Sequence, residues 1–292
     1  MDVNQAMGHK ISVTVTDENE DYYFAQHEGF TYRIAKSELT KEHRVTDAIT
    51  GFAYENEDHE LQITTKIPRV QIGRFDFVPV VAVRHDLGVF VDIGLPNKDV
   101  VVSLDELPTI KQIWPARGDY LLVSLTIDNK GRIWGDLADE DRFQQMAKKA
   151  DASLKNTNVV GTVYRLKIVG SYVFTSDHYL GFIHPSERDT EPRLGQHVKA
   201  RVIGVRPDGI LNLSLRPRAY EAIGDDAQMI LAVLQHQPEQ KMPYTDKSSP
   251  EDIKQYFGIS KGQFKRALGH LMKAGVVKQI DGQTVLAEQN EE

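Results

Sequence analysis

The sequence predicts a mainly β, multidomain protein: three tandem β-barrels followed by a smaller α+β domain. Three observations predict it. A trio of strand landmarks recurs three times in the same order, and beyond Pro217 period-two alternation gives way to helical spacing. The length of 292 residues also exceeds what one small barrel uses and suits two to four domains.

The first landmark is a strand with an aromatic in its middle: YYFAQ at 22–26, GVFVDIG at 88–94 and GSYVFTS at 170–176. The second is a strand closing on a short acidic turn: YRIAKSEL, DVVVSLDEL and GFIHPSE. The third is a turn with a final strand: NEDHELQITTK, DNKGRIWGDL and PDGILNLSLR. From Glu38 to Glu106 to Glu187 the steps are 68 and 81 residues, and the longer step contains a charged, helix-prone insert, ADEDRFQQMAKKADASLK, at 138–155. The expected domains are therefore 1–66, 67–137, a helical connector at 138–156, 157–218 and 219–292. In VKARVIGV, bounded by Gly195 and by Pro207-Asp208-Gly209, the alternation places Val198, Ala200, Val202 and Gly204 on one face before a tight turn. Asp128-Asn129-Lys130-Gly131 serves as that turn in the second copy. Closing such strands into barrels removes exposed edges.

In the last domain AQMILAVLQ at 227–235 reads as one helix, and Ser249-Pro250 opens a second that Gly258 ends. Ser260 caps a third helix, whose expected buried stripe is Phe264, Leu268, Leu271 and Met272. A hairpin with an Asp-Gly turn, VVKQI-DG-QTVL, follows, and helix, helix, turn, helix and two-stranded wing make a winged helix.

Composition excludes several functions. Hydrophobic residues at 40% and charged residues at 26% belong to a globular protein. No apolar run approaches the ~20 residues that cross a bilayer, and MDVNQAMGHK lacks the pattern of a secretory signal, so a cytoplasmic, non-membrane protein is expected. Zero cysteines remove disulfides, thiolate catalysis and cysteine-held zinc. There is no phosphate loop, no His-Glu-x-x-His and no Gly-x-Ser-x-Gly, so neither an enzyme nor a cofactor or metal site is expected. The acidic groups DENED at 17–21 and ENEDHE at 55–60 read as solvated turns.

A net charge of −7 argues at first against a polyanionic partner, but its distribution is uneven. Lys+Arg against Asp+Glu runs 6 to 13 in residues 1–66, 8 to 8 in 67–135 and 9 to 5 in 158–218. In that basic third barrel Tyr172, Phe174, Phe182 and His184 offer candidate stacking groups for unpaired bases, although a strand aromatic such as Phe174 or Phe182 more often fills a core. Arg165, Lys167, Lys199, Arg201, Arg206 and Arg216 are available to phosphates there, with Arg132 in the second barrel. Residues 260–280 carry Lys261, Lys265, Arg266, Lys273 and Lys278 without an acid, a basic face that suits a phosphate backbone or a major groove.

The copies resemble the S1-type RNA-binding repeat, a five-stranded OB-fold barrel. In the third the likeness is carried by Gly161-x-Val163, Gly170-Ser171-Tyr172-Val173, Gly181-Phe182-Ile183-His184-Pro185-Ser186 and Leu213-Ser214. Three such barrels followed by MPYTDKSSPEDIKQYFGISKGQFKRALGHLMKAGVV resemble the conserved virulence factor B (CvfB) family across nearly the whole chain. The resemblance implies single-stranded RNA binding and control of gene expression, including virulence genes in related bacteria. It carries the RNA face over to Tyr172 and His184 in the third barrel and to Phe90, Asp128 and Arg132 in the second. In the first barrel only Tyr23 or Phe24 matches. Val169, Leu87 and Ser103 depart from the pattern, as do Arg206 and Ile210, which stand where Asp and Arg are usual. The rival expectations are a DNA-binding transcription regulator that reads duplex through the winged helix, and a scaffold whose acidic first barrel docks a basic partner.

Overall fold

A computed structural model describes residues 5–216 and 224–287. The chain divides into two compact units, Met1–Leu215 and Arg216–Glu292. The junction expected at residues 218–219 lies outside the described residues.

The first unit is three closed barrels of one design. Barrel 1 comprises β1 (Lys10–Glu18), β2 (Tyr22–His27), β3 (Phe30–Ala35), β4 (Ala48–Glu55) and β5 (Leu61–Thr64). Barrel 2 comprises β6 (Asp76–Arg84), β7 (Gly88–Val91), β8 (Val100–Ser103), β9 (Tyr120–Ile127) and β10 (Ile133–Leu137). Barrel 3 comprises β11 (Asn158–Lys167), β12 (Gly170–Thr175), β13 (Leu180–Ile183), β14 (His197–Val205) and β15 (Leu211–Ser214). In each, the first three strands form an antiparallel meander, the fifth pairs parallel to the third, and the fourth closes back on the first. The acidic landmark after each third strand is a single 3-10 turn, at Lys36–Glu38, Leu104–Glu106 and Pro185–Glu187.

Each first strand also carries a bulge at the same register, between Val15 and Asp17, Val80 and Ala82, and Val163 and Arg165. A bulge bends the strand and re-aims the side chain after it. The three barrels share this defect as they share their strand order, which marks it as part of the repeat. A second bulge between Val202 and Gly204 ends the alternation of β14, so Val198, Ala200 and Val202 are buried while Gly204 is not on that buried row.

The helix-prone insert forms α1 (Glu140–Met146), capped where the Asp139 side chain accepts from the Arg142 amide at 2.9 Å, and a single 3-10 turn at Ala152–Leu154. The strap after it is tied to barrel 3 by Lys148 N donating to His178 O at 2.7 Å and Ala150 N to Gly209 O at 3.1 Å. These external partners replace the i to i−4 bonds that would have continued the helix. Phe143 of α1 is buried with Leu122, Ala138 and Phe174, between barrels 2 and 3. Those barrels are further joined by the Arg193 guanidinium on buried Asp119, at 2.9 and 3.1 Å, and by Tyr120 N donating to Gly195 O at 2.9 Å. Barrels 1 and 2 meet where Phe52 and Tyr54 enter the core cluster of barrel 2 and Tyr54 Oη donates to Asn97 Oδ1 at 2.9 Å.

The second unit is a winged helix built from α2 (Asp225–His236), β16 (Lys241–Met242), α3 (Pro250–Phe257), α4 (Lys261–Lys273), β17 (Val277–Ile280) and β18 (Gln283–Leu286). Ser249 caps α3, Gly258 ends it at φ 71°, and Ser260 with Gln263 forms a capping box at α4. Asp281 and Gly282 both have positive φ, as the two-residue wing turn requires. Phe264, Ala267, Leu268 and Leu271 form the buried stripe of α4. Met272 does not join them: it is 44% exposed, because eight residues past Phe264 at ~100° each bring it roughly a quarter turn off the stripe. Among the described residues, no helix is long and apolar enough to cross a membrane.

Candidate nucleic-acid interface

In barrel 3 the bulge brings Arg165 opposite Tyr172, and the register then runs from Tyr172 to Phe182 and from Phe182 to Asn212, one row across four strands. Val163, Val173, Ile183 and Leu213 fill the core, so the row lies on the outer surface. The Tyr172 and Phe182 rings meet edge to face at 5.2 Å, and both are half-buried. Cations flank them: Lys167 Nζ lies 5.3 Å from the Tyr172 centroid and the Arg206 guanidinium 4.6 Å from that of Phe182. Arg206 is held there by Nε donating to Asn212 Oδ1 at 2.8 Å. Gly170 makes the close approach feasible, because a Cβ there would sit 2.4 Å from Ile183 O and 2.7 Å from the Phe182 ring.

His184 lies one residue beyond β13, exposed, with Nδ1 2.7 Å from Ser186 Oγ and accepting from the Ser186 amide at 3.2 Å. It caps the 3-10 turn and leaves its other ring edge to solvent. Phe174, two residues from Tyr172 on the same outer side, is 4% exposed, because α1 and Phe77 cover it. Arg165 and Lys167 both reach Glu140 Oε1 of α1 at 2.6 Å, so the connector supplies a carboxylate to the cations beside Tyr172. Lys199 and Arg201 sit opposite Val160 and Asn158, at the far end of β11 from Arg165 and apart from the aromatic row. Arg216 ends the described segment and is exposed. At the tip of the β11–β12 turn Ile168 is 99% exposed and Val169 60%.

Barrel 2 carries the same row with other residues: Ala82, Phe90, Val101 and Trp134. Trp134 replaces Asn212 as the aromatic of the last strand. Its indole Nε1 donates to Asp128 Oδ2 at 3.3 Å, and Arg132, lying 5.4 Å from its ring centroid, donates Nε to the same oxygen at 2.7 Å. Desolvation opposes ionisation of Asp128, yet the Arg132 amide and guanidinium, the Lys130 amide and the indole together hold its carboxyl well below the usual carboxylate range. Arg84, in the place of Lys167, is fixed by Asp86 at 2.7 Å. Asp128, Arg132 and Phe90 thus meet on one surface, and Trp134 completes it.

In barrel 1 the row is Asp17, Phe24, Arg33 and Gln62. Phe24 occupies the aromatic position and is half-buried, whereas Tyr23 is a core residue at 3% exposure. Arg33 pairs with Glu60, and buried Gln62 accepts from Asn56 at 3.2 Å and from Asn97 of barrel 2 at 3.2 Å. Arg33 and Gln62 of this row are thus taken up by contacts within the protein.

On the winged helix, Lys265, Arg266 and Lys273 are exposed and Lys261 is half-buried. Arg266, His270 and Lys273 follow one another at four and three residues, which sets them on one exposed face of α4. Among the described residues none of Lys261, Lys265, Arg266 and Lys273 takes part in an ion pair. No group of three or more His, Cys, Asp or Glu side chains is gathered as a metal ion would need, again among the described residues.

One surface aromatic, Trp134, was not singled out from the sequence as a ligand contact. Trp134 follows Arg132, which immediately precedes β10, by two residues, a spacing at which extended chain sets both on one side. Phe182, a stacking candidate of a type that more often fills a core, lies half-buried on the outer surface as the cross-strand partner of Tyr172.

Comparisons with known proteins agree with this architecture. Residues 7–66 match the S1 domain, 75–136 the CvfB first S1-like domain, 143–217 the second domain of virulence regulatory factor CvfB, and 228–286 the CvfB-like winged helix domain. "Uncharacterized protein YitL" of Bacillus subtilis is 41% identical over 277 residues, covering 95% of this chain and 92% of its own length. Conserved virulence factor B of Staphylococcus aureus strain USA300 is 38% identical over 263 residues, covering 89% and 87%. A crystal structure from Streptococcus pneumoniae, described as a multidomain protein with nucleic acid binding domains, superimposes with a TM-score of 0.70 at 49% identity, covering 98% of this chain and 99% of that one. With S1-type barrels, a winged helix and these relatives matching over most of its length, the chain belongs to the CvfB family.

Proposed function

We propose that this protein binds single-stranded RNA on the outer aromatic rows of barrels 2 and 3, with the winged helix adding phosphate contacts, and that it controls gene expression at the RNA level without catalysis. The observation that carries the reading is the recurrence, in two barrels of one compact unit, of an outward aromatic pair flanked by cations: Tyr172 and Phe182 with Lys167 and Arg206, Phe90 and Trp134 with Arg84 and Arg132. Splayed bases stack on such rings for ~1 to 3 kcal/mol each, whatever their sequence, while phosphates meet the cations. Two modest sites on one chain gain through effective concentration, so a strand that spans both is held when either alone would release it. The description of the pneumococcal relative, which speaks of nucleic acid binding domains, agrees with this reading.

A second reading, duplex DNA recognition through α4, is favoured by the exposed Arg266, His270 and Lys273 stripe. Titrating the whole chain with a single-stranded RNA and with the matching duplex DNA, each at two salt concentrations, decides between them. Tighter binding of the RNA, with a salt slope of ~0.7 per neutralised phosphate, is the expected result. Tighter binding of the duplex, abolished by reversing charge at Lys265 and Arg266, would transfer the function to the winged helix.

A further inference from the structure

The aromatic row of barrel 2 lines a groove of about 530 Å³ to which barrel 1 also contributes residues. Barrel 2 lines it with Phe90 and Trp134 and with the cations Arg84, Lys98 and Arg132, and barrel 1 lines it with Glu55 at the end of β4 and Glu57 of the β4–β5 turn. The wall is fixed in place: Glu57 N donates to Asn97 O at 3.2 Å, beside the Tyr54–Asn97–Gln62 hydrogen bonds. Glu55 is engaged by His59 at 2.5 Å, whereas among the described residues the Glu57 carboxylate holds no hydrogen bond or ion pair. Asp99, which lines the same groove, has its carboxyl pushed up by burial, by Asp92 and by the neighbouring charge of Glu57.

This arrangement rejects a polynucleotide backbone along the acidic wall, because phosphates would face carboxylates, and it accepts a base whose edge donates hydrogen bonds. A carboxylate only accepts. Uracil turns two carbonyls and a single N–H toward such a wall, and adenine and cytosine present one amino group beside an acceptor nitrogen. Guanine alone presents two adjacent donors, N1–H and N2–H, with the spacing of the two oxygens of one carboxylate. A volume of this size lies within the range of small-molecule sites and holds one nucleotide.

Building on the single-stranded RNA reading above, we propose that the groove between barrels 1 and 2 selects one unpaired guanine, stacked on Trp134 and Phe90, its Watson–Crick edge on Glu57 and its phosphate toward Arg84 and Arg132. Barrel 1, whose Arg33 and Gln62 are taken up within the protein, thereby acts as the specificity wall of its neighbour.

The test uses the full chain and nine-residue strands that differ at one central position: all uridine, or uridine with a single guanosine, inosine or adenosine. Binding is read by anisotropy of labelled RNA and by tryptophan fluorescence, in which Trp134 reports on the groove while Trp114 is 5% exposed. The guanosine strand should bind about tenfold more tightly than the all-uridine strand and quench Trp134, with inosine, which lacks N2, between them. Glu57→Gln should bring the guanosine strand to within about twofold of the all-uridine strand. RNA binding with equal affinity for guanosine and uridine would overturn the guanine pocket and leave the RNA reading standing. A guanosine preference that survives in Glu57→Gln would overturn the role of this wall. Absence of binding by every strand would overturn both.

Discussion

Barrels 2 and 3 share a strand order, a bulge and an outward row of side chains, yet each row is shaped by a different neighbour. In barrel 3 the connector helix leans on the row: Glu140 takes up Arg165 and Lys167, and Phe143 with Phe77 buries Phe174, leaving Tyr172, Phe182 and Arg206. In barrel 2 the row holds two aromatics under an acidic wall contributed by barrel 1, with its arginine fixed through Asp128. The difference teaches that in a tandem array the fold supplies the platform and the adjoining domain decides which part of it a ligand can use.

The largest effect that would break or uphold the equivalence of the two rows comes from removing their rings. Tyr172→Ala with Phe182→Ala, and separately Phe90→Ala with Trp134→Ala, should each cost ~1 to 3 kcal/mol per lost stack, raising Kd at least tenfold for a strand long enough to reach both barrels. Fluorescence anisotropy with short and long RNA measures it. Loss confined to one pair would make the other row a surface of packing alone, while unchanged melting temperatures would attribute the loss to contact rather than to folding.

A smaller effect, of opposite sign, is expected at the connector. Glu140→Gln releases Arg165 and Lys167 toward phosphate, so affinity should rise a few-fold and the salt slope should steepen by up to about 1.4 for the two charges. Weaker binding by this variant would show that Glu140 orients the cations rather than occupying them.

The smallest effect concerns pH and barrel 2. Because the folded protein depresses the Asp128 carboxyl, its stabilising contribution is complete above the ordinary carboxylate value of ~4 and fades as pH falls from there toward the folded value. Melting curves taken from pH 7 to pH 2 should therefore decline less steeply for Asp128→Asn than for the parent chain. Parallel declines would mean that the turn is held by its backbone bonds alone. No such carboxylate anchors Arg206 of barrel 3, which rests on the neutral Asn212 amide.

Much of this was legible in residue order, and for local reasons. Strand aromatics, acidic turns and Asp-Gly or Pro-Asp-Gly corners announce themselves within a few residues, so all three barrels and the wing were readable, as were Tyr172, His184, Phe90, Asp128 and Arg132 as surface groups. What escaped depends on closure and on neighbours. Alternation says that Lys199 and Arg201 share a side of β14, but not that closing the barrel leaves them at the far end of β11 from Tyr172. Nor does it separate Phe174 from Tyr172, which point the same way until α1 covers one of them. The acidic run at 55–60 reads as a solvated loop, and only the docking of barrel 1 on Asn97 makes part of it a wall.

By itself, the order of residues determined the repeat and the kind of side chain that each outer row displays, because period-two patterns and turn chemistry act over a handful of neighbours. Only the tertiary structure decided which of those side chains are covered, paired or open, since burial and ion pairing join residues far apart in the chain, as Glu140 joins Lys167 and Glu57 approaches Asp99.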